Sequence, residues 1–521
     1  MSRLPRIQYN SINVDFDRGV NVWNLARDQN RVENESAAGI IETLSYFERE
    51  RIAIQRRVSS ADLQAQIEQF WLYARTGQTF SFWRDRHLAA YWDFEGKSFD
   101  SNDGVAGTLT RATTATYDDS TTGFVTDVAS GAARFPDGQF GRGLLLERAA
   151  TNILVRSEEL GNASWTATNI TVTTDSLNST DPAGGNVAEH LLATSADGTL
   201  RQDTSTNIGT DDAVFSIYMK YNSIAGATAS ITLYIIRADT GATLASSTKV
   251  VTPEWVRYNV RYDSGGSITA NWGVVLEMDT NGDQIYAWGA QLEVGSEILY
   301  DSSYIETTTA AATRNIDVLA YAASNFFDYY PNQGSVSFWF APKWDTELNG
   351  LARHFFNLQG LNANTTLNLD TSEQLVLGVG LNTGGQVTAT SSAVTMTEDT
   401  FYYIVVTWDT TTTNGLNVYF NGSLVGTSSN SAFALSPRGT NFYLGSDGST
   451  NSCDGIIDEF EIRKDVLNQA QISNYYNSGR AHGWRRNYYS SMLIDQSSYE
   501  PTLLEGGWRF DIPLVLKEVL T

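Results

Sequence analysis

The chain has 521 residues, 18% charged, 41% hydrophobic and 12% aromatic, with a formal net charge of −24. That length exceeds what one core usually supports, so several domains are expected, and the acidic balance repels phosphate backbones and argues against nucleic-acid binding. A single cysteine, Cys453, excludes an internal disulfide framework and any four-cysteine zinc site.

The opening MSRLPRIQYNS lacks the apolar run of a cleavable signal, and no segment has the apolar length to span a membrane. Residues 5–50 alternate in short bursts, Ile12, Val14 and Phe16, then Ile40, Ile41 and Leu44, which predicts strands. A helix follows. Ser59 or Ser60 caps it, Asp62 reaches back as in a capping box, and Gly77 closes it, while Leu63, Ile67, Phe70, Trp71 and Ala74 recur at helical spacing. Strands are expected on both sides, at 51–58 and 79–83.

After Asp85 the texture changes to Thr, Ala, Gly and Asp and does not revert until about residue 480, a mix that favours β-sandwiches joined by polar turns. Short alternating runs (FSIYMKY, ASITLYIIR, EWVRYNVRY, WGVVLEM) between turn residues predict a jelly-roll sandwich within 108–314. Residues 315–479 repeat the pattern with SVSFWFAP, FYYIVVTWD and LNVYFNGSLVG. There Asn421-Gly422 is a two-residue hairpin signal, and a short helix is expected near Leu467–Tyr476. The last segment ends WRFDIPLVLKEVL, where Phe510, Ile512, Leu514 and Leu516 alternate as in a half-buried strand and Pro513 predicts an edge or bulge. Such a strand needs a sheet to join. Residues 1–87 and 480–521 are therefore expected to form one scaffold domain, interrupted by the two sandwiches. The fold class expected is mainly β: multidomain sandwiches, jelly roll and lectin-like, set into a small sandwich-plus-helix scaffold.

The run Phe401 to Asp409, the hairpin VYFNGSLVG and the strand GIIDEFEI, followed by a short helix, resemble laminin-G-like, concanavalin-A-like lectin domains. Such domains often open with a strand like LAAYWDFEG, so residues 88–107 are assigned to the same module, which the jelly roll would then split. The stretches LTRATTATYDD, RGLLLERAATNILVRSE, WGAQLE and SSYIETT are similar to a domain of tailed-phage tail proteins. In that context the interrupted outer domain resembles the siphophage distal tail protein. The resemblance implies a virion tail-tip or baseplate location, a homohexameric ring, contacts with the tail tube and the tail hub or fibre, and sandwiches displayed toward host-surface glycans. A trimeric receptor-binding fibre or spike is the alternative.

Sugar binding needs an exposed aromatic platform beside amides and carboxylates. Trp165, Trp255, Trp272, Trp288, Trp339, Trp344 and Trp408 are the tryptophans at hand, and core packing is the plain reading of those inside strands. Trp165, Trp344 and Trp255 are the expected carbohydrate contacts. The lectin resemblance implies calcium held by Asp93 and Asp458; the plain reading of both is a turn carboxylate satisfied by backbone amides. DTNGDQ at 279–284 is half a calcium loop and reads as a β-turn. No catalytic residue is expected. His87, His190, His354 and His482 are scattered without a triad or HExxH pattern, and simple alternation sets Asp458 and Glu459 on opposite faces, with Glu459 and Glu461 sharing one.

Overall fold

A computed structural model describes residues 89–477, except 95–96, 102–104, 121, 175–178, 223–228, 297, 299, 326–331 and 347–350, together with the backbone of strands nearer the two ends. The chain is mainly β, built as antiparallel sheets. The helix expected between Ser59 and Gly77, and the core it was to share with Phe510, Ile512 or Leu514, lie outside the described residues.

Both ends of the chain enter one eight-stranded sheet. The strand Phe510–Glu518 runs antiparallel to Ile41–Val58, with Phe510 opposite Val58 and Lys517 opposite Arg51. Pro513 therefore lies in an interior strand and not at the sheet edge. Proline has no N–H to give a ladder, and on the side away from Gln55, among the described residues, Thr502–Leu503 pairs with Phe510 and Asp511 and Tyr488–Ile494 with Leu516 to Glu518, neither with Pro513.

Between these ends lie two sandwiches, one inside the other. The lectin-like sandwich is a fourteen-stranded sheet that folds over on itself, its two leaves joined by the single pair Ser391 and Gly426. Phe338, Val406 and Phe460 from one leaf and Phe356, Leu377 and Leu444 from the other share its core. Leu88–Trp92 pairs with Gly455–Arg463, and so does Leu144–Leu146, while Thr108–Thr110 pairs with Val318–Ala322. The strands Thr108–Thr110 and Leu144–Leu146, expected in the jelly-roll module, thus belong to the lectin-like sheet. The reason is non-local: their partners lie more than two hundred residues downstream.

The jelly roll is left with Thr166 to Gly295 and comprises two five-stranded sheets, whose core takes Leu200, Leu233 and Trp272 from one and Leu191, Phe215 and Leu292 from the other. The hairpin at Asn421-Gly422 forms as expected, with Phe420 opposite Ser423 and positive φ of 48° and 80°, the type I′ geometry that fits a two-residue loop. A helix follows at Gln469–Asn477. Asn468 Oδ1 accepts the Gln471 amide and Gln471 Oε1 accepts that of Asn468, a reciprocal cap.

Where the chain leaves the lectin-like sheet for the jelly roll and returns, a buried ionic clasp ties the crossing points. Asp317 receives Arg111 at 2.6 Å on one oxygen and Arg134 with the Glu147 amide on the other; Glu147 receives Arg134, Arg314 and both donors of Ser303. The side chains of the two carboxylates and of their three arginine partners, Arg111, Arg134 and Arg314, are at most 4% exposed. Burial alone would raise the Glu147 carboxyl, but Arg314 and Arg134 override it and hold it well below the usual carboxylate range. A depressed carboxylate stabilises the fold above its unfolded pKa, near 4.3, and this contribution is lost as pH falls through the lower folded value. Thermal unfolding followed by circular dichroism should show no change from this group between pH 7 and 5. It should show a decline below about pH 4 that the Glu147→Gln variant lacks.

Candidate functional site

The outward side of the second jelly-roll sheet is polar and aromatic. In Asp212–Tyr221 the residues Phe215, Ile217 and Met219 enter the core, so Ser216, Tyr218 and Lys220 face out. In the neighbouring Val256–Tyr262, Val260 points in, and Arg257 and Asn259 face out beside them, with Trp255 just before the strand.

A small hairpin, Ala115–Asp119 paired with Phe124–Val128, stands between this face and the lectin-like sandwich. Alternation gives it two different sides. Tyr117 packs against Leu145, Ala341 and Ile456 of the lectin-like side, whereas Val125 joins Tyr218, Trp288 and Tyr304 of the jelly roll, and Asp118 accepts the Tyr218 hydroxyl at 3.3 Å. At its tip Phe124 remains 40% exposed, its ring lying over Gly184.

These elements enclose a cleft of about 1080 Å³ between the two sandwiches. Its apolar wall carries Trp255, Phe124 and Pro182, and its polar wall Arg257, Asp301, Lys343, Glu398 and Asp399. Trp255 is half-buried and donates its indole N–H to the Thr180 carbonyl at 2.8 Å, which fixes the ring while leaving part of it in the cleft. Arg257 donates to the Ser302 carbonyl and lies 3.3 Å from Asp301, which also accepts the Asn259 amide at 2.6 Å. Across the cleft Lys343 donates to Asp399 at 2.7 Å, and Arg261 of the jelly roll bonds Glu398 of the lectin-like side at 3.1 Å. The volume is at or above the roughly 300–1,000 Å³ typical of small-molecule sites, and a lining that combines aromatic and charged side chains suits an amphipathic ligand.

The aromatic wall is held from behind by the blocks WGAQLE and SSYIETT. At Gly289 the backbone turns to φ +68° and the ladder shifts register between Ser216 and Tyr218, a bulge that sends Trp288 outward under Tyr304, with ring centroids 4.6 Å apart. Gln291 accepts the Ile305 amide and Glu293 accepts both donors of Ser302. Close by, Glu158 accepts the Tyr304 hydroxyl at 3.0 Å. Burial first, then the neighbouring charges of Glu306 and Asp181, push the Glu158 carboxyl up to about 7. A carboxyl raised on folding binds its proton more tightly in the native state, so its stabilisation is present at low pH and lost as pH climbs from the unfolded value near 4.3 to about 7. Paired urea titrations should find Glu158→Gln gaining on the parent between pH 5 and pH 8.

Of the residues expected to bind sugar, only Trp255 reaches the cleft. Trp344 is fully buried and donates to the Cys453 carbonyl at 3.0 Å; Trp165 is 6% exposed and donates to the Arg156 carbonyl. Both rings are buried and have their one polar atom satisfied by a backbone carbonyl, so neither offers a platform. Trp272, Trp288, Trp339 and Trp408 are buried as well.

Asp458, expected as a calcium ligand, is fully buried and accepts the amides of Phe140 and Glu459, the plain reading of a buried carboxylate. Asp93 is half-buried at the end of the first lectin-like strand. Among the described residues no group of three or more His, Cys, Asp and Glu is arranged to hold a metal ion. The expectation that Glu459 and Glu461 share a face is corrected by a bulge. Ser337 pairs with Glu461 and Trp339 with Asp458, and Glu459 adopts φ +50°, so Asp458 and Glu461 share a face instead. Glu461 there is buried against Arg463 at 2.8 Å.

Lys220, Arg257, Phe124, Lys343 and Asp399 were not singled out from the sequence. For Lys220 and Arg257 the signal was the polar half of FSIYMKY and EWVRYNVRY, which marks the outward rows of two adjacent strands.

Residues 315–473 match the family model described as the concanavalin A-like lectin/glucanases superfamily, and this part of the chain is a lectin-like β-sandwich. None of the curated proteins matches the chain. Among solved structures, similarity extends to a SAP-like pentraxin from Limulus polyphemus at 16% identity and TM-score 0.24, over 30% of this chain and 77% of that one. It extends also to the receptor binding domain of the botulinum neurotoxin C/D mosaic serotype at 15% identity and TM-score 0.26, covering 32% of this chain and 41% of that one. A xylan-binding domain from Paenibacillus barcinonensis is similar at 16% identity and TM-score 0.23, over 29% of this chain and 97% of that one.

Proposed function

We propose that this protein attaches a phage tail to glycans of the host surface, through sandwiches displayed by a tail-tip scaffold, and binds those glycans without cleaving them. The observation that carries the attachment reading is the cleft between the sandwiches, whose lining combines a fixed, partly exposed Trp255 with carboxylates and cationic side chains. A pyranose is amphipathic in the same way, with C–H faces for an aromatic ring and hydroxyls for charged partners. The lectin-like fold of residues 315–473 agrees with it.

The tail-tip reading is supported by the sheet to which both chain ends contribute, since Phe510–Glu518 lies against Arg51 to Val58. In a fibre whose last segment packs with its C-terminal modules, that pairing has no place. Further support comes from a long hairpin. Val20–Glu35 and Ile41–Val58 pair along almost their whole length, yet Phe510–Glu518 flanks only Arg51 to Val58, so among the described residues Ile41 to Glu50 and its partner strand form a two-stranded ribbon. At ~3.4 Å per residue it reaches about 30 Å, and two-stranded ribbons are marginal in water without a neighbour. A second copy in a homohexameric ring, or the adjoining tube or hub protein, supplies one.

Native mass spectrometry of the purified protein tests the scaffold part: a six-copy assembly supports the ring, and a strict trimer points to the fibre. A glycan array probed with the labelled protein tests attachment, and silence across it would remove that reading. Incubation with bound polysaccharide should release no new reducing ends.

A further inference from the structure

Three ion pairs bordering the cleft expose the acid more than the base. Asp137 has a side chain 65% exposed against 12% for Arg142, and Asp399 60% against 28% for Lys343. Glu398 and Arg261 lean the same way at 30% and 24%, while Arg257 and Asp301 are both deep. At these three pairs a ligand meets carboxylate oxygen, whose spare lone pairs accept hydrogen bonds and whose charge repels anions. The cations behind hold these oxygens in place.

Resting on the attachment reading above, we infer that the cleft takes an uncharged oligosaccharide and rejects polymers bearing carboxylate, sulfate or phosphate groups. Sugar hydroxyls donate to Asp137, Glu398 and Asp399, the ring faces stack against Trp255 and Phe124, and Lys220 donates to a ring or glycosidic oxygen. Lys220 is half-buried in the cleft and has no ion pair among the described residues. The cleft volume of about 1080 Å³ points to several linked sugars, because one monosaccharide would leave most of it to water.

Isothermal titration of the full chain tests this with neutral hexasaccharides (gluco-, manno-, xylo- and N-acetylated chito-oligomers) and acidic ones (hyaluronan and oligogalacturonate), in 20 mM and 150 mM salt. The expected result is binding of at least one neutral oligomer, with acidic oligomers at least tenfold weaker and the gap widest at low salt. In the Asp137→Asn/Asp399→Asn variant the gap should shrink severalfold, a change that a merely structural role of those exposed side chains does not produce. An acidic oligomer that binds more tightly than every neutral one would overturn the charge assignment while leaving the attachment reading intact. Absence of binding by all of them, together with a silent glycan array, would overturn both.

Discussion

Replacing Asp317 by alanine will destabilise the protein by about 3–5 kcal/mol, the usual consequence of removing one partner from a buried ion pair. Asp317 is fully buried and is the counterion of both Arg111 and Arg134. Without it Arg134 keeps Glu147, but Arg111 keeps only carbonyl acceptors, those of Thr113, Ala129 and Ala132. A buried guanidinium with neutral acceptors alone pays its desolvation without Coulombic return. The exposed pair Arg237 and Asp239, at a similar 2.9 Å, is the control: Arg237→Ala should leave the unfolding midpoint where it was, because solvent and salt screen it. A second variant, Asp317→Leu with Arg111→Met, removes both ends of one pair and should recover part of the loss. Urea unfolding read by tryptophan fluorescence measures all of these. If Asp317→Ala proved no worse than Arg237→Ala, the clasp would not be what joins the sandwiches.

Much of the fold was legible in the sequence because strands write their burial every second residue. FYYIVVTWD, VYFNGSLVG and GIIDEFEIR each announced a strand, and Asn421-Gly422 announced its own turn through the positive φ that few other pairs accept. What stayed hidden was pairing at long range. Nothing within Leu144–Leu146 says that its partner is Gly455 to Ile457, and so the jelly-roll boundary was set too early. The Glu459 bulge was hidden for a related reason: one extra residue inverts every later side chain, and no local composition marks it.

The candidate site was less legible than the fold. Nearness to a turn served as the sign of exposure for Trp165 and Trp344, yet both rings are buried and the carbonyls of Arg156 and Cys453 satisfy their N–H groups. Trp255 makes the same kind of bond, to Thr180, but stays half-buried. The sequence shows that a tryptophan borders a turn; only the path of the chain shows whether its ring is covered. The cleft also draws on hairpin residues near 120, jelly-roll strands near 220 and 257 and a lectin-like loop near 398, an assembly that no single motif could announce.

Trp255→Ala will lower glycan affinity by roughly 30-fold or more, the effect of removing an aromatic anchor worth about 2 kcal/mol. Two properties make this ring the anchor. It is fixed before the ligand arrives, by its bond to the Thr180 carbonyl, so little side-chain entropy is lost on binding. It also lines the same cleft as Glu398 and Asp399, whose carboxylates can accept the hydroxyls of a sugar stacked on it. Trp255→Phe keeps a stacking face but loses the N–H that holds it, and should fall between the parent and the alanine variant. Trp165→Phe provides the contrast: that indole is buried against Arg156, so the change should lower the unfolding midpoint and leave affinity alone. Titration calorimetry on the folded variants, each checked by circular dichroism, separates the two kinds of effect. Equal affinity of Trp255→Ala and the parent would place the ligand elsewhere on the molecule, because no other tryptophan among the described residues lines the cleft.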